Sequence, residues 1–265
     1  MQEYFGKKKI APSILSGSEI LAFLDELGLV KATEPNVAKI NVDNSLGSGW
    51  KSKSIFWDLP YWKTQLIRHN LDVMHIEKNV FENVFNTVMN VPGKTKDTVK
   101  SREELNQYCR RIAQPTFTLN KKEKAVLCAW VKNLKFPDGY VSNMARCVDT
   151  KKLKLFGMKS HDCHVFMQRL VSVAFRELLP QKVWEALTEL SLFFKDLTST
   201  FIKSQHMMKL KNDIPITLCK LELIFPPSFF DSMEHLLVNL AYEARIASLI
   251  QYQWMYQFKM YYLVD

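Results

Sequence analysis

The chain has 265 residues, 47% of them hydrophobic and 24% charged, a balance that supports a sizeable core and argues against disorder. Eight glycines and ten prolines are too few for a turn-rich sandwich or barrel. The formal net charge of +9 is uneven: residues 1–160 carry 26 Lys and Arg against 16 Asp and Glu, whereas residues 161–265 carry 10 against 11. A polyanion such as DNA or RNA therefore suits the front of the chain.

Residues 1–15 read as linker. Ser16 to Glu19 has capping-box spacing ahead of the stripe Ile20, Leu21, Leu24 and Leu27, which stops at Gly28. Residues 31–53 are polar and read as a loop. Pro60 can open a helix, with Leu66 and Ile67 on its buried face. A strong helix follows over about 72–90, with Val73, Ile76, Val80, Val84 and Val88 at three- to four-residue steps, ended by Pro92-Gly93. Ser101 to Glu104 is a second capping box, opening a short helix toward Cys109.

Thr118 to Leu134 is amphipathic, with Val126, Leu127, Trp130 and Leu134 on one side. Further helices are predicted over about 161–178, with Val165, Phe166, Leu170, Val173 and Ala174, and over about 181–202. The next runs over about 214–225, bounded by Pro226-Pro227, and the last over about 229–250. The aromatic tail 251–264 fits either strand or helix. The pattern is that of a mainly α protein with no internal repeat: a bundle-like C-terminal part and an irregular N-terminal part.

Five cysteines, Cys109, Cys128, Cys147, Cys163 and Cys219, show no CxxC spacing and read as reduced thiols. The polar N-terminus and the lack of a run of about 18 apolar residues predict no signal peptide and no membrane span. The reading is an intracellular chain, in nucleus or cytoplasm, with no small-molecule substrate.

Two clusters could carry chemistry. Asp72, His75 and Glu77 fall within six residues; on a helix 72 and 75 share a face while 77 points elsewhere. A two-metal site needs several carboxylates, so these groups are expected to satisfy one another. His161 and His164 are spaced i,i+3, with Cys147 the nearest third zinc ligand. Two ligands do not complete a site, and no stoichiometric metal is predicted. The basic groups Lys94, Lys96, Lys100 and Arg102, and Lys151, Lys152, Lys154 and Lys159, suit salt-dependent, sequence-blind phosphate contact. Lys94, Lys96, Lys151 and Lys152 are the expected contacts. The sequence has no GxSxG, GxxxxGK[ST], HExxH or GxGxxG.

The stretch Arg68-His-Asn-Leu-Asp-Val-Met-His-Ile-Glu-Lys-Asn79, with Trp57-Asp-Leu-Pro-Tyr-Trp62 and Pro92-Gly-Lys-Thr-Lys-Asp97, closely resembles the En/Spm (CACTA) class of plant DNA transposases. Residues from about 5 to 111 look like the C-terminal part of that transposase core. Residues from about 145 to 260 look like the domain of unknown function that follows it. That second likeness rests on Ser160-His-Asp-Cys-His164, Leu179-Pro180, Cys219-Lys-Leu-Glu222, Phe225-Pro-Pro-Ser-Phe-Phe230 and Tyr252-Gln-Trp-Met-Tyr256. The implied segments are 1–111 as core remnant, 112–144 as helical connector and 145–265 as the associated helical domain.

The resemblance implies an RNase-H-like recombinase that uses Mg²⁺ at aspartate and glutamate carboxylates and a zinc site with a histidine pair. The upstream aspartates and the CxxC have no counterpart here. His235 matches the first histidine of the pair, while Asn239 stands at the second position. Gln257 and Lys259 stand where the family has Pro and Glu. A cation at the third-carboxylate position repels Mg²⁺, and Glu77 is the competing candidate. These departures predict a truncated, degenerate copy without catalysis, with no cofactor of its own and with weak DNA binding. Asp72 and Glu77 would be the remnants of the catalytic set, and His161, His164 and His235 those of the metal set. The alternatives are a subunit that completes its metal site with an intact transposase chain, and a helical interaction module adopted by the host.

Overall fold

The computed structural model describes residues 15–26, 55–67, 71–108, 115–137, 140, 143–201 and 203–247. The chain divides into two compact units, 1–69 and 70–265.

In the first unit, α1 (Gly17–Glu26) begins at the predicted capping box. The Glu19 N–H donates to Ser16 Oγ, and the Ser16 N–H donates to Glu19 Oε2 at 2.6 Å. Two short 3₁₀ turns follow, Ile55–Asp58 and Trp62–Thr64. A Cβ on Gly17 would lie 2.3 Å from the Lys63 carbonyl oxygen, so α1 approaches this turn as only glycine allows. The helix expected from Pro60 does not form beyond the 3₁₀ turn, and Leu66 is exposed. Only two apolar residues supported that helix, too few to bury a face.

In the second unit, α2 (Val73–Val88) fills the centre, with Val73, Ile76, Val80, Val84 and Val88 all buried as predicted. It packs on α5 (Ser160–Val165) and on α9 (Ser232–Ala247). Phe81 and Phe85 meet Phe166 at ring-centroid distances of 5.2 and 5.5 Å. Asn90, at φ 43°, closes the helix. The Val91 N–H donates to the Asn86 carbonyl and the Asn90 N–H to that of Thr87, the paired bonds of a Schellman cap.

The next helix, α3 (Val99–Tyr108), starts earlier than predicted. Thr98 Oγ1 accepts the Ser101 N–H, so Thr98 supplies the cap and Ser101 lies inside the helix. In α4 (Lys121–Asn133) the buried stripe is Leu127, Cys128 and Val131, and Val126 is exposed. Cys128 belongs to the apolar face, which rotates the stripe by one residue. A two-stranded antiparallel ribbon, β1 (Val148–Asp149) with β2 (Lys154–Leu155), packs against α4.

The predicted helix from 161 is interrupted. After α5 comes a wide π turn, Phe166–Leu170, and then α6 (Val171–Ala174). The extra residue in such a turn shifts the helical face by about 100°. This shift carries Val173 out to solvent and Gln168 into the interior. Helix α7 (Gln181–Leu197) follows Pro180 as predicted but ends earlier. Helix α8 (Ser204–Glu222) starts ten residues before its predicted position and runs through Pro215. Its stripe Met207, Leu210, Ile214, Thr217 and Leu221 is buried, and that packing overrides the preference for proline at a helix start. Helix α9 lies within its predicted span, and the tail beyond 247 lies outside the described residues. The described residues are mainly helical, as expected.

Candidate functional site

Asp72 and Glu77 part company as their helical spacing implies. Asp72 is the N-cap of α2, and its Oδ1 accepts the His75 N–H at 3.1 Å. Glu77 points into the core and is fully buried. Its Oε2 lies 2.7 Å from His164 Nδ1, and Gln168 Nε2 donates to its Oε1 at 3.0 Å. Gln168 also reaches Thr198 Oγ1 and the Phe194 carbonyl at the end of α7. The two clusters seen separately in the sequence are therefore one contact, made across 87 residues. Burial pushes the Glu77 carboxyl up, and His164 and Gln168 pull it partly back.

His161 and His164 stack with their centroids 6.1 Å apart, but they serve different partners. His161 Nε2 lies 3.0 Å from the Tyr140 carbonyl oxygen, while His164 faces Glu77. Cys147 is buried, and burial pushes its thiol up. Cys163 is buried too, and its thiol is pushed up to about 12, mainly by burial. His235 sits in the first turn of α9, its N–H directed at the Asp231 carbonyl, and Asn239 lies on the same helix. Gln257 and Lys259 fall outside the described residues.

No group of three His, Cys, Asp or Glu able to hold a metal occurs among the described residues. The donors present do not fit a two-metal or zinc site: Asp72 caps a helix, and Glu77 is committed to His164 and Gln168.

A second buried acid, Glu234, has no sequence signal beyond its capping-box spacing from Asp231. Its Oε1 accepts from Asn83 Nδ2 at 2.7 Å, and its Oε2 accepts the Asp231 N–H at 3.0 Å. Burial and the adjacent Asp231 push Glu234 up to about 7. Burial also pushes Asp231 upward, but hydrogen bonds from Glu234, the Met233 N–H and Lys96 hold it below the usual range.

The four predicted phosphate contacts separate. Lys96 pairs with Asp231 at 3.2 Å, and Lys94 lines the adjacent depression with it. Lys151 is exposed in the turn of the ribbon. Lys152 lines a cavity of about 280 Å³ together with Lys121, Lys124 and Lys154. The sequence reading singles out neither Lys121 nor Lys124. Their available signal is i,i+3 spacing on the exposed face of an amphipathic helix. No helix among the described residues is long and apolar enough to cross a membrane.

Compared with known proteins, residues 197–264 match the family described as Domain of unknown function (DUF4218), a domain found in transposon-related proteins. The match takes in the end of α7, all of α8 and all of α9. No curated protein and no solved structure matches the chain.

Proposed function

We propose that the chain is a transposon-derived protein of the En/Spm (CACTA) kind that performs no strand transfer and binds nucleic acid weakly through its lysines. The observation that carries the non-catalytic part is the state of Glu77. A catalytic carboxylate must offer its oxygens to Mg²⁺ at an accessible site. Glu77 is fully buried, with one oxygen 2.7 Å from His164 and the other taken by Gln168. Its role is to hold α2, α5 and the π turn together. The DUF4218 match at residues 197–264 falls where the resemblance places the domain that follows the transposase core, and it supports the transposon origin.

The test is to incubate the full chain with a terminal-inverted-repeat duplex and Mg²⁺ or Mn²⁺. No cleavage and a salt-sensitive mobility shift are expected. Cleavage that disappears in Glu77→Gln overturns the reading and makes Glu77 catalytic.

A further inference from the structure

The ribbon and α4 bring together four cations that lie far apart in sequence. Lys121 and Lys124 come from the first turn of α4, and Lys152 and Lys154 flank Leu153 at the end of the ribbon turn. All four line one cavity, and among the described residues no carboxylate lines it with them. None of the four has an ion pair among the described residues, unlike Lys96 with Asp231 or Lys220 with Glu189. Asp149 interacts with the charges of Lys152 and Lys154. Its Oδ1 is occupied by the Lys152 and Lys151 N–H groups, which with the charges of Lys152 and Lys154 hold its carboxyl below the usual range. Glu123 is likewise taken, closing the capping box of α4 with the Asn120 N–H.

Four lysines lining one depression give it a positive potential that attracts an anion. Burial pushes Lys124 below the usual lysine range, opposed by Cys128. The Lys122 and Glu123 amides in the first turn of α4 are taken by the Asn120 side chain. The lysine side chains are therefore the charged groups available to hold an anion there. Lysine ammoniums, as compact and freely rotating donors, suit phosphate oxygens without demanding one orientation. Four lysines on one cavity of about 280 Å³ match the several negative charges of successive phosphates, as on a polyphosphate or a nucleic-acid backbone.

We propose that the cavity formed by Lys121, Lys124, Lys152 and Lys154 is a phosphate-binding site, occupied by successive phosphate groups of a polyanionic chain. The proposal deepens the nucleic-acid reading above and moves its centre away from Lys94, Lys96 and Lys151.

The experiment uses the full chain, a short random-sequence DNA duplex and inorganic tripolyphosphate as probes. The site variant is Lys121→Gln, Lys124→Gln, Lys152→Gln and Lys154→Gln together. A control variant, Lys182→Gln, Lys195→Gln, Lys203→Gln and Lys209→Gln, removes the same charge from exposed positions elsewhere. Thermal melts confirm that both variants fold.

The site variant is expected to lose tripolyphosphate binding and to weaken DNA binding by about tenfold or more at low salt. The slope of log affinity against log salt should shrink by about 2–4. The control variant should leave both nearly unchanged. Competition of tripolyphosphate with DNA identifies the backbone as the occupant. Tripolyphosphate binding that depends on the site, with no DNA binding by the parent chain, sustains the phosphate site and overturns the nucleic-acid reading. DNA binding undiminished in the site variant, or equally diminished in the control, overturns the site and leaves that reading standing. A parent chain that binds neither probe overturns both.

Discussion

Glu77 shows how one buried residue can suggest catalysis in the sequence and serve packing in the fold. Its carboxyl is satisfied only because His164 and Gln168 meet it across helix boundaries. His164→Ala leaves a buried carboxyl short of a partner and should cost about 1–3 kcal/mol of stability. Glu77→Gln keeps the shape and should cost less. Urea unfolding of both variants checks the order, and an equal or reversed ranking would remove the contact from the stabilising set. Glu234 gives a pH signature. Its folded value of about 7 lies above the ordinary 4.5, so between these values the folded chain binds more protons than the unfolded chain. Stability attributable to Glu234 is therefore complete below about 4.5 and is lost as pH rises toward about 7. Asp231, held low, acts in the opposite sense and only at more acidic pH. Denaturation midpoints measured from about pH 4.5 to about pH 8 should fall with rising pH, and Glu234→Gln should flatten that slope.

The helices most legible in the sequence are those whose burial repeats every three to four residues. The α2 stripe from Val73 to Val88 needs no partner to be recognised. Less legible are the features where tertiary packing departs from local pattern. No residue type marks the π turn at Phe166–Leu170, yet it sends Val173 outward and Gln168 inward. The sequence reading starts this helix near residue 214, yet α8 begins at Ser204 and passes through Pro215, with Met207 and Leu210 buried ahead of it. The Glu77–His164 contact could not be read either, since its two halves are joined only by folding. The same holds for the lysine cavity, where α4 supplies half the charge and the ribbon the other half. The cap of α2 is a local rule that can be tested. Asn90 sits at φ 43°, where a β-branched side chain is disfavoured by about 1–2 kcal/mol. Asn90→Val should therefore lower the melting temperature, whereas Asn90→Gly should leave it unchanged or raise it slightly.

At the scale of the molecule, the region matched to a known family is smaller than the region that shares a core. The described part of residues 197–264 supplies chiefly α8 and α9, which pack on each other. The apolar faces of these helices are completed from outside the match: α7 covers α8, and α2 packs on α9. Phe117 packs against Phe225 with ring centroids 4.8 Å apart, and Asn83 on α2 bonds to both the Phe229 carbonyl and Glu234. A fragment of residues 198–265 would expose these faces and leave Glu234 without its amide partner, so its two described helices could not bury enough surface to offset the entropy of ordering them. Such a fragment should show no cooperative thermal transition. Residues 70–265, which contain every one of these contacts, should melt in a single transition by circular dichroism and by tryptophan fluorescence alike. Cooperative melting of the short fragment would show that the matched region is an independent domain and that its packing on α2 and α7 is incidental. Non-coincident transitions in the longer piece would instead mean that α2 and its neighbours fold apart from α8 and α9, and the Asn83–Glu234 bond would then join two separately stable bodies.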